Sequence, residues 1–376
     1  MAKKQMKIKR YSTNMGSGYQ RKKMIKGIIG LSLALAVLLG AGYLAAPFII
    51  DGIASFKLSG AQSDEENPRP TPTAPAVDPS GEATPPTQEE TPPQPVVPTV
   101  QTSIYCEVLP KELITKASIE KTAEQLKAKG ANTAVITLKN AEGKLFFPSA
   151  TDLGKQAAGE ISLDLKLVAD TFKASGITCC ANVYTFMDRI APTLDRTMAV
   201  KYVGTDYTWL DNAKELGGKP WANPANVKMQ EYIYAITDEI LSAGFKEIIY
   251  SAVQLPTGYS LDKRDFGATN DQLLAQIKGF ITTVQTRVSS FGAQADFAFD
   301  FASANGGDSA KYLVSPTRLG AANIILTGKQ NDISLQDSEA LARKLKNGKD
   351  AERVSLWVTD GELELTPKGL DGYFVK

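Results

Sequence analysis

The chain has no histidine among its 376 residues. That absence removes Ser-His and Cys-His hydrolase chemistry and most histidine-ligated metal sites. Cysteine is scarce, with only Cys106, Cys179 and Cys180. Neighbouring residues on a strand point to opposite faces, so Cys179 and Cys180 cannot serve one partner. No Cys-x-x-Cys spacing exists for zinc, which leaves these residues as small buried hydrophobes. No Gly-x-Gly-x-x-Gly or Gly-x-x-x-x-Gly-Lys-Ser/Thr pattern follows an apolar run, so nucleotide-binding versions of an α/β fold are disfavoured and no cofactor is implied. A charge excess is missing too: 42 Lys/Arg face 41 Asp/Glu. From residue 103 onward the count is 31 basic against 33 acidic, which argues against a nucleic-acid surface.

What charge asymmetry there is lies at the N-terminus. Residues 1–26 carry Lys3, Lys4, Lys7, Lys9, Arg10, Arg21, Lys22, Lys23 and Lys26 and no acid. Gly27 to Ile50 then runs for 24 residues without a charge. That is long enough to cross a bilayer core of ~30 Å as a helix, and too long for the apolar part of a cleaved signal peptide. The basic flank places the N-terminus in the cytoplasm. The expectation is an uncleaved single-pass anchor with the rest of the chain outside the cell.

Residues 51–102 form a linker. Its 59–102 portion holds 11 of the 20 prolines and seven threonines, with few aromatic or branched aliphatic residues. Such a composition cannot bury enough surface to fold and implies extended polyproline-like coil.

The globular part, 103–376, repeats one pattern. Apolar runs read as strands at Ile104–Val108, Thr133–Lys139, Ile177–Tyr184, Phe245–Val253, Ala295–Phe301, Ala322–Leu326, Val354–Val358 and Gly372–Val375. Helical spacing intervenes through Ile119, Ala123 and Leu126, through Leu163, Leu167, Val168 and Phe172, and through Met229, Ile233, Ile236 and Ile240. It recurs through Leu273, Ile277, Ile281 and Val284 and through Ala340, Leu341 and Leu345. Gly130, Gly176, Gly244, Gly292 and Gly348 close these helices. Eight strands with intervening helices over ~274 residues suit a (β/α)8 barrel, and a doubly wound open sheet is the alternative.

Several stretches carry a resemblance. Val135-Ile136-Thr137-Leu138-Lys139-Asn140-Ala141-Glu142-Gly143, Ala181-Asn182 with Phe186-Met187-Asp188, the set Trp209, Asp211, Gly218, Trp221, Asn223 and Pro224, and the run Gly244 to Pro256 together resemble a family of glycoside-hydrolase-like barrels from bacterial cell-surface proteins. The family pattern has Asp at 137, 140 and 251 and Arg at 182 and 254. Here those positions hold Thr137, Asn140, Ser251, Asn182 and Gln254.

The resemblance implies a polysaccharide or peptidoglycan glycan as partner, with no metal. Glycoside cleavage ordinarily needs two carboxyl groups. Acids at or past strand ends are Glu107, Asp188, Asp211, Asp300 and Asp360. The catalytic candidates are Asp188 and Asp211, which match family positions, with Glu107. Lys139, Tyr184, Trp209, Trp221, Asn223, Ser251 and Gln254 are the substrate-binding candidates. Trp209, Trp221, Tyr184, Tyr207 and Tyr259 are expected to offer aromatic planes to sugar rings. The missing Asp and Arg point the other way, to a barrel that binds glycan or a protein without turning it over.

Overall fold

A computed structural model describes residues 102–307, 310–361 and 366–376. The chain divides into two units, Met1–Pro93 and Gln94–Lys376, and every described residue belongs to the second. The basic tail, the membrane anchor and most of the Pro-rich linker expected from the sequence lie outside the described residues. Among the described residues no helix is long and apolar enough to cross a membrane.

The strands in chain order are β1 (Ser103–Val108), β2 (Thr133–Lys139), β3 (Thr178–Tyr184), β4 (Lys201–Tyr202), β5 (Glu247–Ser251), β6 (Arg264–Asp265), β7 (Gln294–Asp300), β8 (Asn323–Gly328), β9 (Arg353–Val358) and β10 (Gly372–Val375). Eight of them close into a parallel barrel in the order β1-β10-β9-β8-β7-β5-β3-β2. The eight barrel strands coincide with the eight apolar runs to within a few residues. The open sheet is thereby excluded. β4 and β6 make a separate antiparallel pair that the sequence did not announce, because two-residue strands leave no periodicity to read.

Local chemistry sets the helix ends. Thr115 and Ser118 form a reciprocal capping box for Lys116–Ala128, and Asn226 accepts from the Met229 amide at 3.0 Å to start Val227–Ser242. Leu335–Gly348 departs from expectation. Gly348 is its last helical residue, and Lys349 takes the left-handed turn at φ 60°.

Strand alternation organises the barrel interior into levels. The middle level is apolar, with one residue from each strand: Tyr105, Val135, Cys180, Ile249, Ala298, Ile325, Trp357 and Phe374. The Phe374 ring stacks between Tyr105 and Trp357, with centroids 4.7 and 4.3 Å away. Cys179 packs on the helix side while Cys180 faces the interior, as neighbouring strand positions require.

Two residues earlier along the strands the interior is polar, with Thr133, Glu247, Asp296, Asn323 and Ser355. Here the Tyr105 hydroxyl donates to Glu247 Oε1 at 2.6 Å, and Gln294 Nε2 donates to both Asp296 oxygens. Burial and the neighbouring Asp296 charge push the Glu247 carboxyl well above the usual range. Arg353 supplies the opposing charge. In a barrel of this kind the end at which strands begin serves stability.

Candidate functional site

Two residues later along the same strands, the alternation brings Glu107, Thr137, Asn182, Ser251, Asp300 and Thr327 to the barrel mouth, with Lys376 just past β10. This is the end at which barrel enzymes keep their chemistry. Three of these groups make one chain across adjacent strands. Ser251 Oγ donates to Asn182 Oδ1 at 2.7 Å, and Asn182 Nδ2 donates to Thr137 Oγ1 at 3.1 Å. These are the positions where the family pattern has Asp, Arg and Asp. In this chain the three are neutral and hydrogen-bonded to one another.

Two carboxylates remain in this level, on opposite walls of the barrel. Asp300 caps the short helix Phe301–Ala304, with Oδ2 accepting from the Ser303 amide at 3.0 Å and the Ser303 hydroxyl at 2.8 Å. Glu107 has no such duty. It is exposed at the mouth, yet the surrounding walls remove enough water to raise its carboxyl above the ordinary range. The neighbouring Trp357 indole and the charge of Lys376 act in the opposite sense. Tyr184 lies nearby and half buried, its phenol pushed up by burial and then by the Glu107 charge.

The other expected site residues lie elsewhere. Asp188 is 1% exposed and pairs with Lys139 at 2.7 Å, while its Oδ1 accepts from the amides of Ile190 and Ala191. Lys139 is wholly buried and also donates to the Tyr184 carbonyl at 2.7 Å. Gly143 completes this unit. At φ +94° it approaches so closely that a Cβ there would sit 2.3 Å from Asp188 Oδ1. Lysine, glycine and aspartate are thus one buried brace between the ends of β2 and β3. It is not a pair of groups facing substrate.

Trp209 and Trp221, at 0% and 2% exposed, are not a platform either. With Val200 they form the core of a small lobe built from the loops after β3 and β5, with Tyr202, Leu261 and Phe266 against it. Trp209 donates to the Ser260 carbonyl and Trp221 to Asp211 Oδ2, both at 3.2 Å. Asp211 also accepts from the Lys219 amide at 2.7 Å and lies 3.8 Å from Arg189, which in turn bonds Glu142. Asn223, also buried, ties the lobe together through the Phe266 carbonyl and the Ala225 amide. Tyr207 and Tyr259 remain on the lobe's surface, 77% and 60% exposed. Gln254 falls past the end of β5, beyond Ala252, whose left-handed φ of 55° breaks the alternation. Asp360 is on an exposed turn, accepting from the Gln330 amide.

Of the expected residues, then, the mouth holds Glu107, Ser251 and Tyr184. Sequence reasoning passed over Asn182 and Thr137 as binding groups and missed Trp357 and Lys376. The signal that could have found them was the alternation counted from one known inward residue per strand.

Comparisons with known proteins agree with this architecture. The model of a family described as a putative glycosyl hydrolase domain matches residues 104–302, more than half of the chain. The chain belongs to this family. No curated protein matches the sequence. Among solved structures, the glycoside hydrolase domain of PgaB (BpsB) from Bordetella bronchiseptica is similar, with a TM-score of 0.51 at 11% identity over 73% of this chain and 94% of that one. A cycloisomaltooligosaccharide glucanotransferase from Paenibacillus sp., solved with cycloisomaltoheptaose, gives a TM-score of 0.50 at 17% identity. That match covers 70% of this chain and 39% of the transferase chain. At these identities the likeness shows the barrel fold. The chemistry of this family member has to be argued from its own mouth.

Proposed function

We propose that this glycosyl hydrolase family barrel engages a polysaccharide of the bacterial surface at its C-terminal mouth, held outside the cell by the Gly27–Ile50 anchor and the Pro-rich linker. The observation that carries this reading is the uncapped, exposed Glu107 carboxyl at the mouth, beside the hydrogen-bonded chain Thr137–Asn182–Ser251 on the adjoining strands. Neutral hydroxyl and amide groups suit sugar hydroxyls, which both donate and accept. They cannot act as acid, base or nucleophile at neutral pH. Of the two carboxyls left in this mouth, Glu107 is uncapped and Asp300 is engaged as a helix cap. Support for the surface location comes from the uncharged 24-residue segment and its basic flank, and from the family resemblance.

Binding tests this reading directly. Soluble fragments of cell-surface glycans should bind the 103–376 barrel, and Tyr184→Ala, which removes the half-buried aromatic ring at the mouth, should weaken that binding by about fivefold to tenfold. Calorimetric titration of both proteins measures it. Equal affinity for the two proteins, or no binding of any glycan, would remove the mouth as the binding site.

A further inference from the structure

The lobe has an open side. A groove of about 530 Å³ lies between it and the loop after β7. Asp262, Arg264 and Asp265 line it on the lobe side, and Leu313 lines it from the loop after β7. Asn270, the first residue of the helix Asn270–Ser290, lines it as well. The groove adjoins the mouth through Lys311. The amide of Leu255, itself a lining residue, donates to the Lys311 carbonyl at 2.7 Å. The Lys311 ammonium in turn lies 4.0 Å from Asp300 Oδ1 at the mouth.

The polar groups of the groove are of mixed kind. Arg264 is fixed in place, with Nε donating to the Leu261 carbonyl at 2.8 Å and Nη1 to the Pro256 carbonyl at 2.6 Å. Its guanidinium also lies over the Phe266 ring, 5.7 Å from the centroid. Neither hydrogen bond uses Nη2, whose donors are left for a ligand. Asp265 accepts from the Gly267 amide through Oδ1, while Asp262 and Asn270 are exposed. A fixed donor among carboxylates and an amide suits sugar hydroxyls, which donate and accept at once. An anionic ligand fits poorly, because two carboxylates flank the single guanidinium.

The backbone points to the same place. Among the described residues four non-glycine residues have a left-handed φ, and three of them lie in the two loops that make this groove. These are Ala252 at 55°, Ser260 at 52° and Leu313 at 66°. A bulky side chain is disfavoured in that region, and such positions cluster where ligands are clamped.

We infer that the groove is a glycan subsite continuous with the mouth, so that this barrel selects extended, uncharged polysaccharide chains over short fragments. A chain leaving the mouth beside Asp300 passes Lys311 and enters the groove between Arg264 and Leu313. This inference rests on the reading that the mouth takes a glycan, and adds chain length and neutrality to it.

Calorimetric titration tests it with linear oligomers of glucose and of N-acetylglucosamine, each of two rings and of six. The 103–376 unit closes its own barrel and core, so it serves as the protein. In at least one series the six-ring chain should bind more than about tenfold tighter than the two-ring one, exceeding the roughly fivefold that multiple registers of a short frame along a longer chain supply by themselves. Asp262→Ala combined with Asn270→Ala, both at exposed positions, should bring the six-ring advantage down to that register factor. Hexagalacturonate, with a carboxylate on every ring, should bind more weakly than the neutral six-ring chain. An advantage no larger than the register factor, or one that survives the double substitution, overturns the inference and leaves binding at the mouth standing. Equal or tighter binding of hexagalacturonate overturns it too. If no oligomer binds, the mouth and the groove both fall as glycan sites.

Discussion

Replacement of Asp188 by alanine should lower the thermal midpoint of the barrel by on the order of 10 °C. The reason is electrostatic. Lys139 and Asp188 are 0% and 1% exposed, and the pair is closed at 2.7 Å. Removing one partner leaves an uncompensated ammonium in the interior, with only the Tyr184 carbonyl as acceptor. Breaking a buried pair in this way costs ~3–5 kcal/mol, and ~1 kcal/mol moves the midpoint of a domain near this size by about 2–4 °C. The double substitution Lys139→Met with Asp188→Asn should recover part of the loss, because it removes both charges, nearly keeps the volume and leaves an amide oxygen to accept from Ile190 and Ala191. Thermal unfolding followed by circular dichroism decides the matter. An unchanged midpoint together with lost glycan binding would return Asp188 to a role at the mouth.

The second large effect concerns pH and the opposite end of the barrel. Glu247 and Asp296 are both buried, and the folded state holds the Glu247 proton because two anions cannot be accommodated beside the single Arg353 charge. A carboxyl whose folded value is raised contributes stability that is complete below its unfolded value near 4.5 and is lost as pH climbs toward the folded value. The barrel should therefore be more stable at pH 5 than at pH 8. Across that window the Glu247 contribution falls by up to ~1.4 kcal/mol per pH unit.

Glu247→Gln carries the donor permanently and can still accept from the Tyr105 hydroxyl. Its stability relative to the native protein should rise with pH over the same window. Urea unfolding of both proteins at several pH values measures the difference. Parallel pH profiles would show that Glu247 is ionised in the folded barrel and that the proton is elsewhere.

The family residues that match here divide by physical role. Lys139, Gly143, Asp188, Trp209, Trp221 and Asn223 are buried in a brace or a lobe core, and the half-buried Asp211 bonds Trp221 and the Lys219 amide, so exchange at each leaves a cavity or an unpaired group. The positions that depart, at 137, 182 and 251, share one hydrogen-bonded chain facing the mouth. Matching a pattern along the sequence weighs both kinds equally. That is why Asp188 and Asp211 read as the catalytic candidates although the fold gives them structural work.

The aromatic residues show the same limit. A tryptophan in a loop after a barrel strand can face the mouth or fill the loop, and nothing in its neighbours separates the two. Here β4 and β6, together with the bridges Lys201–Thr208 and Leu210–Pro220, fold the loop back on itself and enclose Trp209 and Trp221. Glu107 illustrates the converse. On β1 it looks like any exposed acid, and the walls of the closed barrel raise its carboxyl while Lys376, more than 240 residues further along the chain, acts against that rise.

The barrel itself was determined by the sequence alone. Eight apolar runs separated by helical spacing can bury their faces in few ways, and both periodicities are local properties of the chain. The capping of the helices was equally local. The tertiary structure decided which polar groups meet. Strand order, the left-handed backbone at Ala252 and the enclosure of the tryptophans place side chains from six or more strands at one level, and such distances depend on register between segments remote in sequence. Burial and pairing then set the charge of each group, so the chemistry of the mouth exists only once the barrel has closed.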